Sequence, residues 1–129
     1  MLSKKRIRLG VIAVAAVVAA ALLPIMGLSR EHDREVRLVA VGRTFYLEGA
    51  PTPNPTLKLR AGERIRLVLR NEDEGMRHDL RIREWNIAVP PIHGKGERAL
   101  TFRVPDVRGT TSYACTPHAA SMLGTIAVE

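Results

Sequence analysis

The sequence has a single cysteine, Cys115, in 129 residues, so no disulfide can form within the chain. The length is enough for one small domain and too short for two. The chain contains no internal repeat, and after residue 28 no segment of useful length carries apolar residues at helical spacing. These absences exclude a disulfide-stapled domain, a repeat array and a helical bundle, and they favour one domain whose core is built from strands.

Charged residues are missing from one long stretch near the N-terminus. Residues 9–28, LGVIAVAAVVAAALLPIMGL, are twenty residues without a charge. A helix of that length spans about 30 Å, the thickness of a bilayer core. Residues 1–8 are basic, and basic residues beside an apolar segment favour the cytoplasmic side. We therefore predict a cytoplasmic tail at residues 1–8, a signal anchor or transmembrane helix at residues 9–28, and an extracytoplasmic remainder.

A cleaved signal peptide is the alternative for this apolar segment. Its apolar core would be only about 7–15 residues long and would be followed by a small-residue cleavage site. Ala19, Ala20 and Ala21 would suit a signal peptidase, but they lie inside the run. An uncleaved anchor in the cell membrane is favoured, and both alternatives export the chain to the periplasmic or extracellular side. Residues 29–35, SREHDRE, would be a tether to a domain at residues 36–129.

The basic character of the chain does not indicate a nucleic-acid partner. The formal net charge is +7 and the pI is about 10.5. Four of the 20 Lys and Arg residues precede residue 9, which leaves 16 against 13 acidic residues in the exported part. Arginines there alternate with apolar residues, as in RIRLVLR, which is typical of the solvated face of a strand. We predict no binding of nucleic acid.

Short alternating segments follow the tether and predict six to eight strands. The alternation places Ile65, Leu67 and Leu69 on one face of a strand and Arg64 and Arg66 on the other. The predicted strand segments are 35–49, 56–71 with a turn at 61–62, 78–84, 98–106, 110–115 and 124–129. Turn residues separate them at three places. PTPNP is predicted to be a turn or an edge crossing, and NEDEGMR and IAVPPIHGKGE are predicted to be loops. This pattern predicts an all-β sandwich with one core.

The segment YACTPHAASML, residues 113–123, places three metal donors close together. His118 lies three residues after Cys115, and Met122 lies four after that. A lone thiol in an oxidising compartment is a liability unless it is buried, joined to another chain or bound to something. Thiolate and imidazole bind copper and zinc, whereas a thioether suits copper. The three donors therefore predict a copper site in a loop between two strands.

A trigonal copper site needs a second histidine from elsewhere in the chain. His78 begins a predicted strand directly after the NEDEGMR loop, a position that holds a ligand rigidly. His93, in a predicted loop, is the reserve candidate. His32, in the tether, is a poor one.

Three other interpretations of Cys115 remain open at this stage. The first is a structural role for the thiol as a small buried hydrophobe. A structural zinc site would use several thiolates or histidines and would leave the thioether of Met122 unused. A thiol nucleophile with His118 as its base would be strained at a spacing of three residues, and the sequence offers no oxyanion site for it.

The C-terminal segment resembles the cupredoxins, the small blue copper proteins that include plastocyanin, pseudoazurin and amicyanin. The resemblance lies in CTPHAASM, in the aromatic residue of YAC, and in the upstream HDL that follows the strand RLVLRN. It covers residues 36–129 and implies a Greek-key β-sandwich that binds one type 1 copper ion. The implied ligands are His78, Cys115, His118 and Met122, with Cys115 as the short thiolate ligand and Met122 as the long axial one.

The resemblance also implies roles for residues beside the ligands. Asp79 stands where the family often has asparagine. We expect its carboxylate to accept a hydrogen bond from Thr116 and to lower the reduction potential. Pro117 has no backbone N–H to donate toward the sulfur. The ring of His118 would be the electron exit, with a docking patch at Ala119 and Ala120, extended by Pro90 and Pro91.

The function that follows is single-electron transfer between redox partner proteins, by a carrier and not an enzyme. A copper-binding module for storage, delivery or sensing is the alternative. An enzyme with an open or substituted axial position is disfavoured by the presence of Met122.

Overall fold

A computed structural model describes residues 32–129, and these residues form two packed β-sheets. The predicted cytoplasmic tail and apolar helix lie outside the described residues. Within residues 32–129, no helix is long and apolar enough to cross a membrane. The strands are β1 (Arg34–Val41), β2 (Thr44–Leu47), β3 (Leu57–Leu59), β4 (Arg64–Asn71), β5 (Arg77–Ile82), β6 (Ile87–His93), β7 (Gly96–Arg103), β8 (Gly109–Ala114) and β9 (Leu123–Val128), with one 3₁₀ turn at Arg83–Trp85.

The two sheets have four and five strands. The first has the order β2-β1-β4-β7 and the second the order β3-β9-β8-β5-β6. Most neighbouring strands are antiparallel, but β1 pairs in parallel with β4, and β3 pairs in parallel with β9. The prediction of an all-β sandwich is confirmed, and the described part of the chain has nine strands, where six to eight were expected.

The core lies between the sheets and follows the alternation of the sequence. In β4, Ile65, Leu67 and Leu69 are buried, as predicted, since successive side chains of a strand point to opposite faces. Val68 of the same strand is also buried, although it points the other way. Tyr113 and Phe45 are fully buried. Their ring centroids are 5.4 Å apart, and the two rings are tilted relative to each other.

The arginines of the four-stranded sheet form ion pairs with glutamates on its outer surface. Arg37 of β1 contacts Glu35, Glu48 and Glu97 at N···O distances of 2.6–2.9 Å. These groups are partly exposed, and such pairs contribute little to stability individually. The arrangement agrees with the interpretation of these arginines as a solvated strand face.

The segment IAVPPIH was predicted to be a loop, and this prediction is wrong. Residues Ile87–His93 form β6, which pairs with β5. Proline is tolerated there because β6 is an edge strand. Between the pairs His78–Ile92 and Leu80–Val89, two prolines of β6 lie opposite Asp79 alone, so the ladder is locally irregular.

Candidate metal centre

The loop between β8 and β9 is closed by its own backbone hydrogen bonds. The Cys115 N–H donates to the Met122 carbonyl (3.1 Å), the Met122 N–H to the His118 carbonyl (2.8 Å), and the His118 N–H to the Cys115 carbonyl (3.3 Å). The side-chain amide of Asn54 donates to the Ser121 carbonyl at 2.8 Å. These bonds fold residues 115–122 back on themselves and hold Cys115 and Met122 opposite each other.

His78 reaches the same place from β5. Three consecutive residues, His78, Asp79 and Leu80, are buried, although a regular strand alternates its faces. The irregular pairing with β6 falls at this point, and bulges of this kind often redirect a side chain next to a functional site. His78 therefore turns inward toward the loop that follows β8.

Three of the predicted ligands lie close enough to share one ion. The Cys115 Sγ is 3.6 Å from the His118 Nδ1 and 3.9 Å from the His78 Nδ1. The donor atoms of all three residues lie within 4.8 Å of one another, and the centroids of the two imidazole rings are 5.1 Å apart. One thiolate and two imidazoles form the trigonal donor set that suits type 1 copper. The residues present thus fit this metal.

Met122 is fully buried and belongs to the same core cluster as Cys115. Its backbone carbonyl accepts the Cys115 N–H, so the backbones of the two residues lie opposite each other across the closed loop. Its role as the axial ligand remains a prediction.

Burial affects the ionisation of the two donors in the loop. It raises the pKa of the Cys115 thiol, while the backbone amides of Asp79 and His118 oppose that shift. It lowers the pKa of His118, and the nearby His78 and Arg43 act in the same direction. The imidazole is thus favoured in its neutral form, which can bind a metal, whereas the thiol needs a cation to stabilise it as thiolate.

The carboxylate of Asp79 joins β5 to the ligand loop. Its Oδ1 accepts a hydrogen bond from the Thr116 N–H at 2.6 Å, which is the bond expected from the sequence. Asp79 is itself buried, so this bond also satisfies a carboxylate oxygen that water does not reach. Its expected effect on the reduction potential remains a prediction.

Asp73 also contacts a predicted ligand, and the sequence analysis missed it. Its Oδ2 lies 2.8 Å from the His78 Nε2, on the side of the ring away from Cys115. A metal-binding histidine usually donates its second N–H to a carboxylate or carbonyl. An acidic residue five positions before a candidate ligand, in the NEDEGMR loop, was the available signal.

The remaining histidines of the described region lie outside the donor group. His93 is exposed at the end of β6, where it pairs with Arg77, and His32 is exposed ahead of β1. Among residues 32–129, His78 is thus the histidine that joins Cys115 and His118. His93 is not needed as a substitute.

The surface outside the loop is apolar around a partly exposed histidine. Pro117, Ala119 and Ala120 are exposed, and His118 is only partly buried. Pro90 and Pro91, offered as an extension of this patch, lie within the edge strand β6. The ring of His118 is therefore the donor closest to solvent, because Cys115 and His78 are fully buried.

Solved structures share this sandwich. Auracyanin A, described as a "blue" copper protein from Chloroflexus aurantiacus, matches with a TM-score of 0.61 at 17% identity, over 76% of this chain and 100% of that one. Dithionite-reduced auracyanin from Roseiflexus castenholzii matches with a TM-score of 0.60 at 15% identity, over 75% and 98%. Rusticyanin from Thiobacillus ferrooxidans matches with a TM-score of 0.52 at 21% identity, over 74% and 76%.

The fold is that of a cupredoxin. At these identities the likeness is one of fold. No family model matches the sequence, and no curated protein matches it. Any function assigned to the chain must therefore depend on the site itself.

Proposed function

We propose that this chain carries single electrons in the cell envelope by means of one type 1 copper ion. His78, Cys115, His118 and Met122 would hold the ion. The observation that carries the proposal is the convergence of one thiol and two imidazole Nδ1 atoms within 4.8 Å, in a fold shared with the blue copper protein auracyanin A. Zinc is a poorer match because a structural zinc site is closed by four thiolate or imidazole ligands.

The geometry suits electron transfer because its donors are held from several directions. When bound, copper supplies a one-electron couple between Cu(I) and Cu(II). The closed loop fixes Cys115, His118 and Met122, the Asp79 carboxylate ties that loop to β5, and Asp73 holds the far side of the His78 ring. Donors held in fixed positions would move little when copper changes between Cu(I) and Cu(II). A small change in ligand geometry favours fast electron transfer.

His118 is the proposed electron exit. It is the one member of the donor group that is not fully buried, and its neighbours Pro117, Ala119 and Ala120 are exposed apolar residues. A small apolar patch allows a partner to approach closely without desolvating charges. The partner is proposed to be a redox protein, and the chain a carrier rather than an enzyme.

The proposed location is the outer face of the cell membrane. It is supported by the sequence of residues 1–28, in which a basic tail precedes twenty uncharged residues. A single-pass anchor there would keep the sandwich close to membrane-bound redox partners.

The test is a titration of the full-length chain with Cu(II) in detergent, monitored by visible absorption. The wild type should bind one equivalent and develop an intense thiolate-to-copper band in the orange-red region. Cys115→Ser keeps the size of the side chain but removes the sulfur, so the band should disappear. His93→Gln is the matched control, since His93 lies outside the donor group, and it should leave the band intact.

Three other results of the copper experiments would lead to different conclusions. A strong band displaced toward the violet would keep copper but indicate a tetragonal site with Met122 bound closely. The absence of any intense band would rule out a type 1 site. Rapid exchange of the copper with a chelator would favour storage or delivery over electron transfer.

A further inference from the structure

The buried imidazole of His78 has a carboxylate on the side away from Cys115. Its Nε2 is 2.8 Å from the Asp73 Oδ2, while its Nδ1 is the atom that lies toward Cys115, at 3.9 Å. The His78 side chain is completely removed from solvent and that of Asp73 is 16% exposed. The contact is therefore made largely out of water, where a charge-assisted hydrogen bond is stronger than at the surface.

Asp73 is itself held in place from two sides. Its backbone N–H donates to the Asn71 Oδ1 at 2.8 Å, and its Oδ2 accepts the Gly42 N–H at 2.9 Å. Asn71 is buried, and its side-chain amide donates to the carbonyls of Met76 and Ile92. A carboxylate fixed in this way determines the orientation of the ring it contacts.

The carboxylate also determines which ring nitrogen carries the proton. A neutral imidazole has one N–H, and a carboxylate oxygen can only accept a hydrogen bond. The proton therefore belongs on Nε2, which leaves the lone pair of Nδ1 directed toward Cys115. That tautomer is the one that can bind a metal between His78 and Cys115.

We propose that Asp73 is a positioning residue for the metal centre, which orients His78, holds its proton on Nε2 and strengthens Nδ1 as a donor to a cation. The assignment of a role toward copper rests on the proposed function. The assignment of the tautomer does not, because it depends on contacts of the protein alone. The added negative charge favours Cu(II) over Cu(I), so Asp73 should also lower the reduction potential.

The first test uses the metal-free full-length chain, with its histidines labelled with ¹⁵N. In the wild type, the imidazole shifts of His78 should show the Nε2–H tautomer. Asp73→Ala removes the acceptor, so both tautomers should be populated. Glu74→Gln is the matched control, because it removes a neighbouring carboxylate that is 84% exposed and does not contact the ring. An Nδ1–H tautomer in the wild type, or an unchanged tautomer in Asp73→Ala, would overturn the assignment.

The second test measures Cu(II) affinity and reduction potential for Asp73→Asn, which removes the charge and keeps an oxygen for the Gly42 amide. The affinity should fall by about 10–100-fold and the potential should rise, with the Glu74→Gln values close to wild type. Loss of thermal stability in Asp73→Asn with affinity and potential equal to those of Glu74→Gln would reduce Asp73 to a loop anchor and overturn the proposal. Failure of the wild type to bind copper would instead reject the proposed function, and the tautomer test would still decide the role of Asp73.

Discussion

At the scale of single residues, Glu63 makes an ion pair with Arg34 in which both carboxylate oxygens take part. Its two carboxylate oxygens accept hydrogen bonds from the Arg34 Nη2 at 2.6 Å and Nε at 3.2 Å. One of them also accepts the Arg60 N–H at 2.7 Å. The hydrogen bond from the Arg34 guanidinium lowers the pKa of the Glu63 carboxyl below its ordinary value of 4.5. The pair fastens the start of β1 to the turn before β4.

This shift predicts a dependence of stability on pH. Because the folded pKa is depressed, the stabilisation is present at pH values above 4.5 and is lost as the pH falls through the folded pKa. Glu63→Gln should lower the free energy of unfolding at pH 7 by about 0.5–1 kcal/mol, since Arg34 is half exposed. Urea unfolding of the metal-free protein at pH 7 and at low pH measures this, and the difference from wild type should shrink in acid.

Glu74→Gln provides the comparison, because its partner Lys95 lies 3.8 Å away and both groups are exposed. It should change stability little at either pH. If the free energy of unfolding of Glu63→Gln stays below that of the wild type by the same amount in acid, the side chain acts through packing and not through its charge.

The sequence allowed the donors to be predicted better than the residues that hold them. Cys115 and His118 are neighbours in sequence, and His78 follows a recognisable loop, so elementary ligand chemistry selected these three converging residues. The same chemistry selected Met122, whose role as a ligand remains a prediction. Asp73 was missed because its contact depends on how the 72–76 loop folds against the turn at Gly42. No spacing rule encodes that approach.

At the scale of elements, the pairing of β8 with β9 depends on one glycine. Gly124 lies directly opposite Tyr113, whose ring covers it and whose hydroxyl donates to the Pro55 carbonyl at 2.6 Å. A Cβ at position 124 would overlap the Tyr113 ring. The ring would have to leave both its buried site and its hydrogen bond.

Gly124→Ala should therefore destabilise the protein by about 2–3 kcal/mol, through overpacking of the core. Gly75→Ala is the control, because a Cβ there meets nothing within 4 Å and the backbone is in an ordinary conformation. Thermal unfolding of the metal-free proteins, followed by circular dichroism, compares the two. Equal midpoints for both variants would show that β8 and β9 adjust easily around the added methyl group.

The strands themselves were largely predictable, with two exceptions. A turn at 42–43 divides the predicted segment 35–49 into β1 and β2, and β6 was predicted to be a loop. Alternation identified β4, β7 and β9 because one face of each is apolar. The Pro90–Pro91 pair led to the loop assignment for 87–97, since proline weakens a strand prediction. β6 becomes recognisable as a strand only through its pairing with β5, which places it at the edge of the sheet, where proline is tolerated.

At the scale of the whole molecule, the fold class followed from the absence of helical periodicity and from regularly spaced turns. The assignment of strands to sheets did not follow, because it depends on contacts between distant segments. Parallel pairing of β1 with β4 and of β3 with β9 is an example.

The surface around His118 leads to a prediction about encounters between molecules. The positive charge of Arg43 lies near enough to lower the pKa of His118. A second positive charge on the surface beside His118 should therefore repel another copy of the protein that approaches with the same surface. Ala119→Lys should slow electron self-exchange about tenfold at low ionic strength, and salt should restore part of the rate. Line broadening in NMR spectra of mixed reduced and oxidised protein measures the rate.

Ala99→Lys places the same charge on the exposed strand β7 of the other sheet. Its self-exchange rate should stay near that of the wild type, and the visible spectra of both variants should be unchanged. Similar rates for Ala119→Lys and Ala99→Lys would locate the electron exit away from His118.

The place of β9 within its sheet bears on the order in which the protein assembles. β9 lies between β3 and β8 in its sheet. Its pairing with β3 brings Leu57 opposite Ile126, two residues that are separated by most of the domain's sequence. Contacts so distant in sequence form slowly, because a long loop must close before they stabilise anything. The loop at 115–122 belongs to the local β8–β9 hairpin, but His78 reaches Cys115 from β5, 37 residues away in the sequence. We therefore expect the group of His78, Cys115 and His118 to assemble only after these distant strands have paired, so that the thiol of Cys115 stays accessible during the earlier part of folding.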